Sequence, residues 1–158
     1  MTEKSTIHLE QRIRKPGKEL TEHRQFDAWF RSLFYTLPLA TLFLDPERRI
    51  VMANPTAERI FGYTEAELRG RNTETFYPNR EEFEKLGQLR FNRQAEDNLQ
   101  PARTTCRRKN GTLFPAEAVG AAVRDEEGKV MGFLGLLRDI SARVAQEEKL
   151  HNTELLYR

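Results

Sequence analysis

The chain has 158 residues, 38% of them hydrophobic and 32% charged, with a net charge of +2. That length suits one domain with some additional helix, and the composition allows a small core with long solvated faces. Ten Phe and one Trp argue against a disordered chain, near-neutral charge argues against a basic nucleic-acid-binding face, and a lone cysteine, Cys106, excludes an internal disulfide or a cysteine-rich zinc site.

No apolar run approaches the ~20 residues needed to cross a bilayer. The opening "MTEKSTIHLEQRIRKPGKEL" has no apolar signal core. The expectation is a soluble, cytoplasmic chain with no membrane insertion and no nucleic-acid partner. Residues 1–17 read as a polar tail, mobile or loosely helical, ending on the turn signal Pro16-Gly17. From Lys18 to Leu37 an aromatic stripe recurs at helical spacing through Leu20, Phe26, Trp29, Phe30, Leu33, Phe34 and Leu37. It serves either core packing or a dimer surface, whose candidate residues here are Phe26, Trp29, Phe30 and Leu33.

Pro38 ends that helix. "LATLFLD" reads as a strand, "PERR" as a turn and "IVMA" as the returning strand. Asn54 is placed to cap a helix whose first residue is Pro55, and Gly62 ends it. Thr64 with Glu67 forms a capping-box pattern for a second short helix, which Gly70 ends. "NREEFEKLGQLRFNRQ" reads as a longer helix and "DNLQPA" as a loop. Three strands follow: "ARTTCRR", "LFPAEAVGAAVR" and "VMGFLGLLRD". Asn110-Gly111 joins the first pair in a hairpin. Pro115 is expected at an edge or a bulge. In the last strand Met131, Phe133, Gly135 and Leu137 are expected on one face, and Val130, Leu134 and Leu136 on the other. Both faces are apolar, so both need cover. Leu134 and Leu136 therefore join the candidate dimer surface. "ISARVAQEEKLHNTELLYR" reads as a helix with a ragged coiled-coil seam.

The motifs "LFLDPERRIVMANPTAERIFGYTEAELRG", "RRKNGTLFPAEAV" and "GFLGLLRDIS" together resemble the PAS sensor-domain family, of the bacterial sensory-box type. The resemblance implies an α+β fold: a five-stranded antiparallel sheet with helices on one face, spanning residues 37–140. Residues 1–36 then form a tail and amphipathic helix, and residues 141–158 a signalling helix. It also implies a cavity between sheet and helices. "RDIS" looks like the family's exit into an output module, with Asp139, Ile140 and Ser141 at the relay point. The attached or partner module would be a kinase, a diguanylate cyclase or phosphodiesterase, or a further PAS domain.

The flavin photocycle branch resembles "GRN" followed by a reactive cysteine. Here Gly70-Arg71-Asn72 is followed by Thr73, which cannot form the thiol adduct. The amide positions that hold flavin in that branch correspond here to Cys106, Ala116 and Leu137. None is an amide, and buried flavin groups left unpaired cost ~1–3 kcal/mol each. The haem branch uses a histidine on the longer helix, which has none. His8, His23 and His151 lie outside the domain body, and inside the core no two ligand-type residues share a helical face at His-x-x-x-His or carboxylate-His spacing. Cys106 reads as a buried, inert thiol. Arg107, Arg108 and Lys109 read as a solvated charge run. No nucleophile–base pattern marks an enzyme.

What remains is an apolar cavity. Its expected lining is Phe43 and Met52 from the first strands, and Ile60, Phe61 and Leu68 from the short helices. Phe76, Phe83 and Leu86 come from the following segment, and Cys106, Ala116, Ala118, Phe133 and Leu137 from the last three strands. Small residues on the sheet either leave room for a ligand or let the phenylalanines collapse inward. A ligand there is expected to be small and apolar, with no cofactor. The function implied is a sensory or relaying homodimer that passes a packing change through its C-terminal helix. Two alternatives stand beside it: a ligand-free dimerisation module, and an atypical cofactor-binding redox sensor.

Overall fold

The computed structural model describes residues 3–94 and 99–157, with side chains from residue 17 onward. The loop read over 97–102 lies partly outside them. The chain divides into two compact units, Met1–Thr36 and Leu37–Arg158. The first is a helix, α1 (Glu3–Thr36). It runs through Pro16-Gly17, where the sequence predicts a turn. Proline inside a helix leaves one i→i−4 bond unmade and costs about 3 kcal/mol, yet helical backbone continues on both sides. Phe26, Trp29 and Leu33 of the aromatic stripe are 66%, 65% and 60% exposed.

The second unit is a five-stranded antiparallel sheet in the order β2-β1-β5-β4-β3. Its strands are β1 (Ala40–Leu44), β2 (Ile50–Ala53), β3 (Ala102–Arg107), β4 (Leu113–Arg124) and β5 (Val130–Asp139). Between β2 and β3 the chain forms α2 (Pro55–Phe61), α3 (Glu65–Leu68), a 3-10 turn (Thr73–Phe76) and α4 (Arg80–Leu89), and these cover one face of the sheet. α5 (Ser141–Leu156) leaves from the end of β5.

Local chemistry explains the short helices. The Asn54 side-chain oxygen accepts from the Ala57 amide at 3.0 Å and from the Thr41 amide at 2.9 Å. Its side-chain nitrogen donates to the Leu39 carbonyl at 2.9 Å. One fully buried side chain thus caps α2 and ties it to β1. Gly62 ends α2 at φ 81°, a left-handed conformation that costs glycine little. Thr64 and Glu67 form the capping box of α3, and Asn79 caps α4.

Three expectations about the sheet are corrected. Phe43 pairs with Met52, and both lie on the face opposite Leu42, Leu44, Ile50 and Ala53, which enter the core. Both alternating sets of "LATLFL" are apolar, so composition does not say which set faces inward; pairing with β5 decides it. In β5 the register shifts opposite Val123 and Arg124, a β-bulge that leaves Met131 61% exposed and packs Val130 against the core. Pro115 lies on an interior strand, not an edge. It is tolerated because the β4–β5 ladder stops at Ala116 opposite Asp139, and the Pro115 carbonyl accepts from the Ile140 amide at 3.1 Å.

A Cβ on Gly132 would come within 2.0 Å of the Leu44 carbonyl oxygen, which is backbone and cannot give way. Gly132→Ala is expected to destabilise the fold by about 3 kcal/mol, at the upper end of overpacking costs. Gly111→Ala meets open space but keeps a φ of +88°, and is expected to cost only about 1 kcal/mol. Urea unfolding of the two variants measures the difference.

Candidate functional site

The interior under the helices is built from rings on a low floor. Phe61 stacks on Phe76 with centroids 3.8 Å apart and lies 6.0 Å from Phe114. Phe91 meets Phe133 edge-on at 6.0 Å, and Tyr77 meets Phe83 at 5.9 Å. The floor is Ala116, Ala118, Gly120 and Gly135. A Cβ on Gly120 would lie 2.7 Å from the Phe91 ring, so that ring sits directly on the glycine. The phenylalanines have collapsed inward, and the space beside Leu42, Arg48, Tyr77 and Phe91 is about 20 Å³. That is room for about one water.

Of the expected lining, Phe61, Leu68, Phe76, Leu86, Cys106, Ala116, Ala118, Phe133 and Leu137 are buried together, with Ile60 and Phe83 packed at the margin. Phe43 and Met52 are not part of it, for the reason given above. Leu42, Leu44 and Tyr77 belong to it and were not foreseen, and Phe91, at the end of the segment read as the longer helix, belongs to it too.

Arg48 was also not foreseen. It sits in the β1–β2 turn with φ 66°, and the residue is only 6% exposed. Its Nη1 donates to the Phe83 carbonyl at 2.8 Å. Its guanidinium carbon lies 3.9 Å from the Phe83 ring centroid, 4.8 Å from Phe91 and 5.8 Å from Tyr77. Its Nε and Nη2 are buried without a hydrogen-bond partner, as is the Thr73 hydroxyl. Burial lowers the Arg48 pKa, but arginine stays charged in proteins. Stacking on aromatic rings recovers part of the desolvation cost. Beside it an open cleft of about 400 Å³ runs along α4, lined by Arg48, Phe83, Glu84, Gly87, Gln88, Phe91 and Asn92. Nothing in "PERR" marks Arg48 for burial, since arginine in a turn is ordinarily solvated.

The exit from the sheet has defined geometry. Asp139 accepts from the Ser141 amide at 2.9 Å and from the Ser141 hydroxyl with one oxygen. Its other oxygen accepts from Arg108 Nη2 at 2.7 Å. Arg108 Nη1 donates to the Ile60 carbonyl, near the end of α2, at 2.6 Å. The Arg108 guanidinium carbon stands 4.0 Å from the Phe114 ring centroid. One half-buried arginine therefore links a covering helix to the strand-to-helix junction. Burial alone would raise the Asp139 pKa, but the bonds from Ser141 and Arg108 outweigh it and hold the carboxyl below its ordinary value. The expected solvated charge run is thus structural: Lys109 also pairs with Glu67 at 2.6 Å, and its amide donates to the Phe61 carbonyl at 2.8 Å. Further along, Arg143 pairs with Glu117, and Arg103 pairs with Glu147 at 3.5 Å, holding α5 to β4 and β3. Ile140 is buried, and Leu134 and Leu136 lie on the outer face of the sheet.

Cys106 is fully buried, and burial followed by the negative charges of Asp139 and Glu82 pushes its thiol up to about 12. His23 and His151 are exposed on α1 and α5. Among the described residues, no group of His, Cys, Asp and Glu side chains is placed to hold a metal ion, and no helix is long and apolar enough to cross a membrane.

Comparison with known proteins agrees with this architecture. The PAS domain family profile matches residues 38–142. The chain belongs to the PAS domain family. It is 27% identical over 114 residues to a methanogenesis regulatory histidine kinase, FilI, of Methanothrix harundinacea (strain 6Ac). That match covers 71% of this chain but only 12% of the kinase. A PAS domain from Colwellia psychrerythraea superposes with a TM-score of 0.62 at 16% identity, over 74% of this chain and 98% of its own. An RNA-binding light-oxygen-voltage receptor superposes at 0.66 with 23% identity, over 81% of this chain and 37% of its own.

A thiol raised this far is almost wholly protonated near neutrality, and the thiolate is the reactive form. Native protein at pH 8 is expected to resist iodoacetamide, with labelling appearing only as urea unfolds it. Mass spectrometry of labelled samples along the urea curve checks this.

Proposed function

We propose that this chain is the sensory module of a histidine kinase-type signalling protein and acts as a homodimer. A change in packing beneath α2 reaches Arg108 through the Ile60 carbonyl. Arg108 passes it to Asp139, and α5 changes its angle or register against its dimer mate. The observation that carries this reading is the continuous link from α2 through Arg108 to the α5 junction. The similarity to a regulatory histidine kinase supports the output class. The exposed stripe of Phe26, Trp29 and Leu33, with Phe30 beside it, offers a dimer surface, and Leu134 and Leu136 offer a second on the outer face of the sheet. The chain itself performs no catalysis in this scheme. A ligand would act by its differential affinity for two states, typically worth about 1–3 kcal/mol.

A second reading has one observation in its favour. The rings pack closely on the sheet, and the space beside Leu42, Tyr77 and Phe91 is only about 20 Å³, which suits a dimerisation module that needs no ligand.

Arg108→Ala is expected to leave the sheet folded and to speed amide exchange in the first turns of α5 at least several-fold. Unchanged α5 exchange would sink the relay. Asp139 has a depressed folded pKa, so its stabilising contribution is present above the ordinary carboxyl value of about 3.9. That contribution is lost as pH falls through the lower folded value, and the Ser141 amide shift in NMR is expected to titrate with a midpoint below about 3.9. Trp29→Asp is expected to convert a dimer to monomers in sedimentation velocity runs.

A further inference from the structure

We infer that Arg48 is the recognition group of a site for a short monocarboxylate with an apolar body. The inference deepens the sensory reading above by naming a ligand class for the same interior, and its test reads binding directly.

Three observations carry it. First, the Arg48 guanidinium is buried, with the Tyr77 side chain and Glu74 favouring its charged form. Nη1 is held by the Phe83 carbonyl at 2.8 Å, while Nε and Nη2 have no partner. Those two nitrogens form one edge of the planar fork, and that edge matches the two oxygens of a carboxylate in a bidentate pair. Second, the Thr73 hydroxyl is also buried without a partner, and it lines the same inner space as Arg48. A hydroxyl there is a further donor to the same oxyanion. Third, Arg48 and Phe91 line both the inner space and the open cleft of about 400 Å³, so they form the wall between them. The carboxylate lodges on the inner edge, and the apolar body lies in the cleft against Phe83 and Phe91.

The same geometry sets specificity. The inner space of about 20 Å³ holds about one water, so a carboxylate enters only as the Phe91 ring gives way, and the body stays outside. Glu84 lines the cleft, so a second carboxylate beside it meets like charge, softened by the pair Glu84 makes with Arg80 at 2.9 Å. A water in the inner space would satisfy a donor but add no negative charge to the support that Arg48 draws from Tyr77 and Glu74. Entry of the headgroup displaces the Phe91 ring, which rests on Gly120 and meets Phe133 of β5. Occupancy is thereby felt on the strand that leads to Asp139.

Hexanoate, titrated at constant ionic strength into the dialysed chain, tests this. The readout is the Arg48 Nε–H resonance in nitrogen-15 NMR. Hexanoate is expected to shift it saturably, and hexan-1-ol and chloride to bind at least about tenfold more weakly. Arg48→Lys keeps the charge but loses the fork, and should weaken hexanoate at least about tenfold. Arg48→Met should abolish binding in a folded protein, followed by isothermal titration calorimetry. Thr73→Val should weaken it several-fold and leave the melting temperature unchanged or higher, and this variant decides the matter if Arg48→Met does not fold. An unmoved Arg48 resonance, equal binding of chloride, or full hexanoate affinity in Thr73→Val overturns the site. Binding with no change in α5 exchange keeps the site and overturns the relay. A ligand that alters α5 exchange while the Arg48 signal stays still keeps the relay and overturns the site.

Discussion

The structure depends on the smallness of the inner face of the sheet. Ala116, Ala118, Gly120 and Gly135 leave almost no side chain above the backbone, and the aromatic rings of the covering segment descend into that space. Each buried ring contributes roughly 1.5–3 kcal/mol, and the rings come from segments too short to be stable alone. The floor therefore organises the cover. Bulkier floor residues would lift Phe91 off Gly120, disturb its contact with Phe133, and unseat Arg48, which is wedged between Phe83 and Phe91.

Two arginines inside this arrangement have opposite circumstances. Arg108 is engaged at both terminal nitrogens: a carbonyl and a carboxylate hold them, and a ring lies against the guanidinium. It behaves as a rivet between cover and exit. Arg48 has one carbonyl, three rings and an idle edge. Both come from turns or strand ends that look equally polar in sequence, and only the packing separates a structural cation from one with unused valence.

Much of the fold was legible because its signals are local. Asn54-Pro55, Gly62, Thr64 with Glu67 and Asn110-Gly111 define their own caps and turns within a few residues, and the structure follows them. β4 and β5 were legible as long apolar runs between turns. The faces of β1 and β2 were not, because both alternating sets are apolar and the choice is made by pairing with β5, some ninety residues away in the chain. The bulge at Met131 and the proline inside α1 are departures from period that no local count exposes. Arg48 escaped for a further reason. Its burial is created by Phe83, 35 residues later, so nothing near it in sequence foretells it.

Pro115 gives β5 an end stop. The ladder between β4 and β5 closes at Ala116 and Asp139, and the next position on β4 has no amide hydrogen to offer. The strand cannot zip forward and absorb the first turn of α5. The count of residues between the sheet and the helix is thereby invariant, and so is the rotational phase at which α5 presents its side chains to whatever lies downstream.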